Sequence, residues 1–233
     1  MKKPNFILLG IIPITVGCKA NITKLPPDSY SLRFDINDYV FTRSISHNDA
    51  YSIIEYALTD YFKFPFCKET AIEVYSQANR QMTKKQKAFI DETNLYLQLS
   101  ALSEGEENIV NEYYLTDTIG YGKNYVTNNQ LIITGEALVT INALFRLSVL
   151  PYSDLLAIDD IEKYSGGILP DGNYLLQFRN VRTKTIVRYI ISPDKSILFD
   201  SRTTKDETDE SFTDRTFRNS SNVFIPDWVQ ALV

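Results

Sequence analysis

Residues 173–200 read NYLLQFRNVRTKTIVRYIISPDKSILFD. Apolar and polar side chains alternate here with a period of two, and Ile, Val, Leu, Tyr and Phe dominate. That is the pattern of half-buried strands, whose successive side chains point to opposite faces. Three segments stand out: Asn173 to Arg179, Thr185 to Ile191 and Ser196 to Asp200. Ser192-Pro193-Asp194-Lys195 separates the last two, with proline where a type I turn wants it. The stretch predicts a three-stranded antiparallel meander.

Upstream, the apolar spacing predicts helices instead. Ser46 can cap a helix, and Asp49 three residues on suits its positive end. Ala50, Ile53, Ile54, Ala57, Leu58, Tyr61 and Phe62 then form one apolar stripe at helical spacing, ended by Pro65. A second helix is expected after Cys67, with Ala71, Val74, Tyr75, Ala78 and Met82 on one face. A third starts at the capping-box pattern Thr83-Lys84-Lys85-Gln86 and runs through Phe89, Ile90, Tyr96, Leu97 and Leu99 to about Leu102. Its wide apolar arc implies burial on two sides. Residues 104–129 read as short strands or an ordered loop. Thr134 caps a helix carrying Leu138, Ile141, Leu144, Phe145 and Leu147. Ser153-Asp154 begins a short helix stopped by Gly166-Gly167.

The remaining segments fill in the outline. Residues 31–37 alternate as a strand. Ser201 to Asp214 is polar and charged, and reads as a loop. Val223 to Val233, with Trp228, is apolar and reads as a closing element. Helices followed by strands give an α+β fold class: a helical layer over about residues 46–164, then the meander over about 173–200. We expect a single α+β domain over 31–233, its helical part 31–167 and its β part 168–233. No internal repeat is seen.

The chain opens with Met1, Lys2 and Lys3, and residues 6–16 read FILLGIIPITV without a charge. Eleven residues fall short of the roughly 20 that span a bilayer as a helix. A basic start, a short apolar segment and a small residue before the cut make a secretory leader, residues 1–17. Thr15-Val16-Gly17-Cys18 resembles the lipobox of bacterial lipoprotein signal peptides, although Thr15 stands where Leu is usual. The resemblance covers only residues 1–18. It implies that Cys18 is acylated and becomes the N-terminus after cleavage behind Gly17. Lys19, where Asp would favour inner-membrane retention, resembles an outer-membrane destination, on the periplasmic face. Residues 18–30, with Pro26-Pro27, read as the tether. Asn21-Ile22-Thr23 and Asn219-Ser220-Ser221 match the N-glycosylation pattern, which is common by chance.

The net charge is −5, and more acidic once the two leader lysines are gone. Such a chain is poorly suited to nucleic acid, whose binding relies on cations that neutralise phosphates. Beyond Cys18 only Cys67 remains, and there is one histidine, which excludes a disulfide framework and the usual zinc constellations. Cys67, in the apolar corner Phe64-Pro65-Phe66-Cys67, reads as a small hydrophobe rather than a nucleophile paired with His47. His47 reads as a capping or solvated residue in a first helical turn. Gly120-Tyr121-Gly122 lacks the third glycine and the Lys-Ser/Thr pair of a phosphate loop. Acidic groups occur at Asp159-Asp160 with Glu162, and at Glu104 with Glu106-Glu107. No catalytic residue, metal ligand or cofactor is assigned.

Fifteen tyrosines carry the positive signal, because tyrosine offers apolar area and a hydrogen bond at low entropic cost. Tyr113, Tyr114, Tyr121 and Tyr125 are the candidate binding residues. The expectation is a lipid-anchored cell-envelope protein with a non-catalytic binding or assembly role, held by acyl chains on Cys18 and working with an envelope protein partner. The alternative is an envelope hydrolase that uses paired carboxylates on glycan or peptide.

Overall fold

The structure, a computed structural model, describes residues 36, 39–63, 67–76, 81–152, 161–180, 185–205 and 210–232. The leader, Cys18, the tether, Pro65, Asp159 and Asp160 lie outside the described residues. In chain order the elements are β1 (Arg43–Ser44), α1 (His47–Tyr61), β2 (Cys67–Ser76), β3 (Gln81–Ile90), β4 (Leu95–Ser103), β5 (Glu106–Leu115), β6 (Gly120–Asn124), β7 (Asn129–Ile133), α2 (Gly135–Val149), β8 (Ile161–Ile168), β9 (Tyr174–Asn180), β10 (Thr185–Ile191), β11 (Ile197–Lys205), β12 (Glu210–Ser220) and α3 (Asp227–Gln230). The strands follow the hydrogen-bonded order β1-β8-β9-β10-β11-β12-β2-β3-β4-β5-β6-β7, and the registers among the described residues are antiparallel.

This overturns the α+β expectation of a helical layer over 46–164. The fold is β-dominated. The predicted second and third helices are the strands β2, β3 and β4. Leu95, Leu97 and Ala88 are buried on one face, while Phe89 and Tyr96 pack against each other and Phe224 on the other. A strand clothed on both faces has no clean alternation, and its apolar run imitates a buried helix. The short helix predicted to end at Gly166-Gly167 is wrong over 161–167, which belongs to β8. A Cβ on Gly167 would lie 2.5 Å from the Phe41 ring, so glycine is there for close approach rather than as a helix stop. The loop predicted over 201–214 is largely strand, because β11 runs on to Lys205 and β12 begins at Glu210. Its polar ends face each other rather than water: Ser201 stands opposite Asp214, and both are buried.

Other expectations hold. α1 starts where predicted, with the Ser46 hydroxyl accepting from the Asp49 N–H at 3.1 Å. α2 begins after Thr134, whose side chain makes no capping bond. The strands predicted over 173–200 form as β9, β10 and β11, with Leu175 opposite Ile190 and Ile190 opposite Phe199, but they continue into β8 and β12 on either side instead of making a three-stranded meander. The region 104–129 does form strands, though β5 is ten residues long and only β6, of five, is short.

The chain divides into two compact units: residues 1–62 with 152–216, and residues 63–151 with 217–233. In the first, α1 lies against β8 and β11. Its buried Ala50, Ile54, Ala57, Leu58 and Tyr61 form the stripe read from the sequence. The other core cluster of this unit gathers Ile36, Leu169, Leu175 and Ile190, with Tyr39 and Phe41 packed on it. Asp200 is fully buried and accepts from the Tyr152 N–H at 2.6 Å. Arg215 lies 3.9 Å from that carboxylate and 3.5 Å above the Tyr152 ring. Those contacts explain how charged residues occupy strand interiors here.

In the second unit, α2 covers one sheet face. Leu138 and Val149 join Ile72, Ala88, Ile90, Leu95, Leu97, Leu115 and Ile133 in its core. Gly120 makes room for this, since a Cβ there would come 2.6 Å from Leu115 and 3.0 Å from Leu138. Arg146 ties the end of α2 to the β3–β4 turn by donating to the Asp91 carbonyl at 2.5 Å.

Candidate binding surface

The opposite face of the second unit's sheet is set by register. Phe89 stands opposite Tyr96, Tyr96 opposite Tyr114, Tyr114 opposite Tyr121, and Tyr121 opposite Ile132. Side chains directly opposite on one face touch, so five strands contribute one aromatic-to-aliphatic row. The neighbouring row runs Lys87, Gln98, Glu112, Lys123 and Gln130. Period two places the two rows two residues apart along each strand, so apolar and charged groups interleave on the same face.

The C-terminal segment lies on this face. The Phe224 ring sits 4.8 Å from Tyr96, edge to face, and 6.3 Å from Phe89. Trp228, in α3, donates its indole N–H to a Glu112 carboxylate oxygen at 2.8 Å. The same carboxylate accepts from the Tyr96 hydroxyl at 2.8 Å and from the Tyr125 hydroxyl. Glu112 is buried, and these three neutral donors satisfy it. Lys123 Nζ stands 4.5 Å from the Tyr125 ring centre and 5.9 Å from that of Trp228. At the far edge, Glu69 takes two N–H donors from Arg218 and lies 3.7 Å from Lys87.

The electrostatics follow from this packing. Burial, and then the bond to the Glu112 carboxylate, push the Tyr125 phenol up to about 12. The same causes, burial first, push Tyr96 up further. Burial, with the charge of Asp91 and with Tyr121, raises Tyr114. These phenols are neutral donors at pH 7, suited to binding and not to base or nucleophile chemistry.

The four tyrosines named from the sequence divide. Tyr114 and Tyr121 form a directly opposed pair on the outer face, and Tyr125 follows at the end of β6 with its hydroxyl on Glu112. Tyr113 points the other way, under α2, with its ring 4.9 Å from Phe145. Sequence reasoning missed Tyr96, Glu112, Lys123, Phe224 and Trp228. The alternation Glu112-x-Tyr114 against Tyr121-x-Lys123-x-Tyr125 is the signal that finds the first part of this set.

The other candidates lie elsewhere. Cys67 is buried and free, and burial raises its thiol above the ordinary range, the reverse of an activated nucleophile. The His47 ring packs on Tyr164 and Phe178 at 5.6 and 6.2 Å, so it is half-buried among aromatics rather than solvated. Gly120-Tyr121-Gly122 is part of β6. Glu107 pairs with Lys85 at 2.9 Å, and Glu104 sits in the β4–β5 turn at φ 54°. No helix among the described residues is long and apolar enough to cross a membrane.

No family model matches the chain, and no curated protein matches it. Among solved structures it is similar to the Mycobacterium tuberculosis lipoprotein LppX, at 9% identity and a TM-score of 0.47 over 77% of this chain and 100% of that one. It is also similar to an uncharacterized conserved protein from Thermus thermophilus, at 13% identity and a TM-score of 0.36 over 76% and 94%. A third likeness is to the S-type phycobiliprotein lyase CPES from Guillardia theta, at 8% identity and a TM-score of 0.26 over 71% and 94%. At that level of superposition none of the three assigns a site residue, ligand or partner to this chain.

Proposed function

We propose that this chain is a lipid-anchored cell-envelope protein with a non-catalytic binding role, and that the tyrosine face of the second unit is the surface it binds with. The observation that carries the reading is the gathering of Tyr114, Tyr121, Tyr125, Phe224 and Trp228 from separate segments onto one face. Aromatic rings with polar tips are enriched at protein recognition surfaces. The partner is an envelope protein. Acyl chains on Cys18 hold the chain at the outer membrane, facing the periplasm, and two or more such chains make a firm anchor.

Two measurements test this. Acylated protein is recovered from detergent-solubilised envelope, and its partner is quantified by mass spectrometry. Replacing Tyr114 and Tyr121 together by alanine removes two central rings, and a binding loss of about tenfold or more is expected. Equal recovery from the variant rejects the surface. Cys18→Ser is expected to move the protein to the soluble fraction, and unchanged membrane association rejects the anchor.

A further inference from the structure

The tyrosine row ends on β7, the last strand of the hydrogen-bonded order. Among the described residues nothing pairs with its outer edge. An open edge is a template for another strand, and proteins guard such edges with lysine, proline, inward charges or bulges. β7 has none of these. Its sequence is NQLII, it carries no charge, and its register with β6 runs unbroken from Gly120–Ile133 to Asn124–Asn129. Its first four residues are all exposed, and Ile132 is 67% exposed.

We propose that β7 pairs antiparallel with β7 of a second copy of this chain, about a two-fold axis through Leu131. Such an axis sets each charge near it against its own image, so an isologous contact in an acidic chain needs an uncharged seam. β7 is that seam in a molecule of net charge −5. Centring on Leu131 places Leu131 opposite Leu131, Gln130 opposite Ile132 and Asn129 opposite Ile133. Each pair then shares a sheet face, as the pleat requires. The axis stands perpendicular to the sheet, so both α2 helices fall on the same side of the extended sheet. Uncovered apolar side chains of α2 lie on that side: Val139, Leu144 and Leu147 are 69%, 59% and 66% exposed. A helix this apolar around its girth is ordinarily covered on more than one side. On the opposite face the aromatic row, Tyr96 to Tyr121 to Ile132, continues across the seam into the second copy.

The test uses the acylated full chain in density-matched detergent, by sedimentation equilibrium, with cross-linking in the native envelope. Wild type is expected at twice the mass of the processed chain. Lysine at an edge position blocks strand addition, so Ile132→Lys is expected to weaken the dimer at least about tenfold. Leu131→Cys is expected to cross-link to itself on mild oxidation, because directly opposed Cα atoms lie about 4.5–5.5 Å apart, inside the disulfide window. Gln130→Cys faces Ile132 of the other copy and is expected to link poorly, as is the distant control Glu55→Cys. All four positions are exposed, so the changes fall outside the buried core. A monomeric mass across the micromolar range overturns the proposal, including the case in which a foreign strand occupies the edge. So does a dimer that is indifferent to Ile132→Lys, or equal cross-linking at all three cysteines. None of these outcomes depends on the tyrosine variants.

Discussion

Glu112 shows how a single residue fixes the second unit's outer face. A buried carboxylate is costly unless it is satisfied by hydrogen bonds. Here Tyr96, Tyr125 and Trp228 all donate to it. In Glu112→Gln the amide keeps the shape but turns a donor toward groups that are themselves donors. Loss of about 2 kcal/mol in urea unfolding is expected, with the slope unchanged. Trp228 is the only tryptophan, so its emission should also shift as the indole loses its acceptor. The tyrosines give a pH dependence of definite sign. Tyr125 and Tyr164 are raised to about 12 in the folded chain, against about 10 in the unfolded one. The folded state therefore holds these protons more tightly. Stability is fully present below about pH 10 and falls as pH climbs toward 12. Phenolate absorbance should appear in two phases, unshifted tyrosines first, with unfolding tracking the second. A single phase near pH 10 contradicts the raised values of these two phenols.

At the level of elements, the legible parts were those with one clean face. α1 carries a single stripe and a capping serine, and the meander alternates around a proline turn. β3 and β4 were not legible because Phe89 and Tyr96 are apolar on the outer face as well as Ala88 and Leu97 on the inner one. The wide arc did mean burial on two sides, but of strands. The end of β11 beyond Asp200, and β12, were hidden by polarity that serves internal pairs such as Asp200 with Arg215. The tyrosine pairing was half visible as alternation, whereas the Trp228–Glu112 bond joins positions 116 residues apart, beyond any local pattern. The two readings of 83–102 part company at Glu92. In a continuous helix, proline there would cost about 3 kcal/mol or more. In the structure Glu92 follows Asp91, whose carboxylate accepts the N–H groups of Thr93 and Asn94 at 2.9 and 2.6 Å. Asp91 pairs back to Asn94, so Glu92 takes the second position of a tight turn, where proline is favoured. Glu92→Pro should shift stability by no more than about 1 kcal/mol. A loss of several kcal/mol in thermal or urea unfolding would count against the hairpin.

On the scale of the whole molecule, the two units are interleaved along the chain rather than strung end to end. The chain passes from one to the other after Phe62, after Pro151 and again within β12, where Thr216 closes the first unit and Phe217 opens the second. The third crossing thus falls inside a single strand, Glu210–Ser220, rather than in a loop. We therefore expect the units to unfold together. Leu175, fully buried in the first unit's core, tests the coupling. Leu175→Ala removes buried methyl groups and leaves a cavity, at a cost of about 2–5 kcal/mol. Trp228 belongs to the second unit and reports only on its own surroundings. If the units are coupled, the Trp228 fluorescence midpoint falls by the same amount as the far-ultraviolet circular dichroism midpoint. A Trp228 transition that stays at the wild-type midpoint while the dichroism splits into two steps would show that β12 transmits no stability, and that each unit folds on its own core.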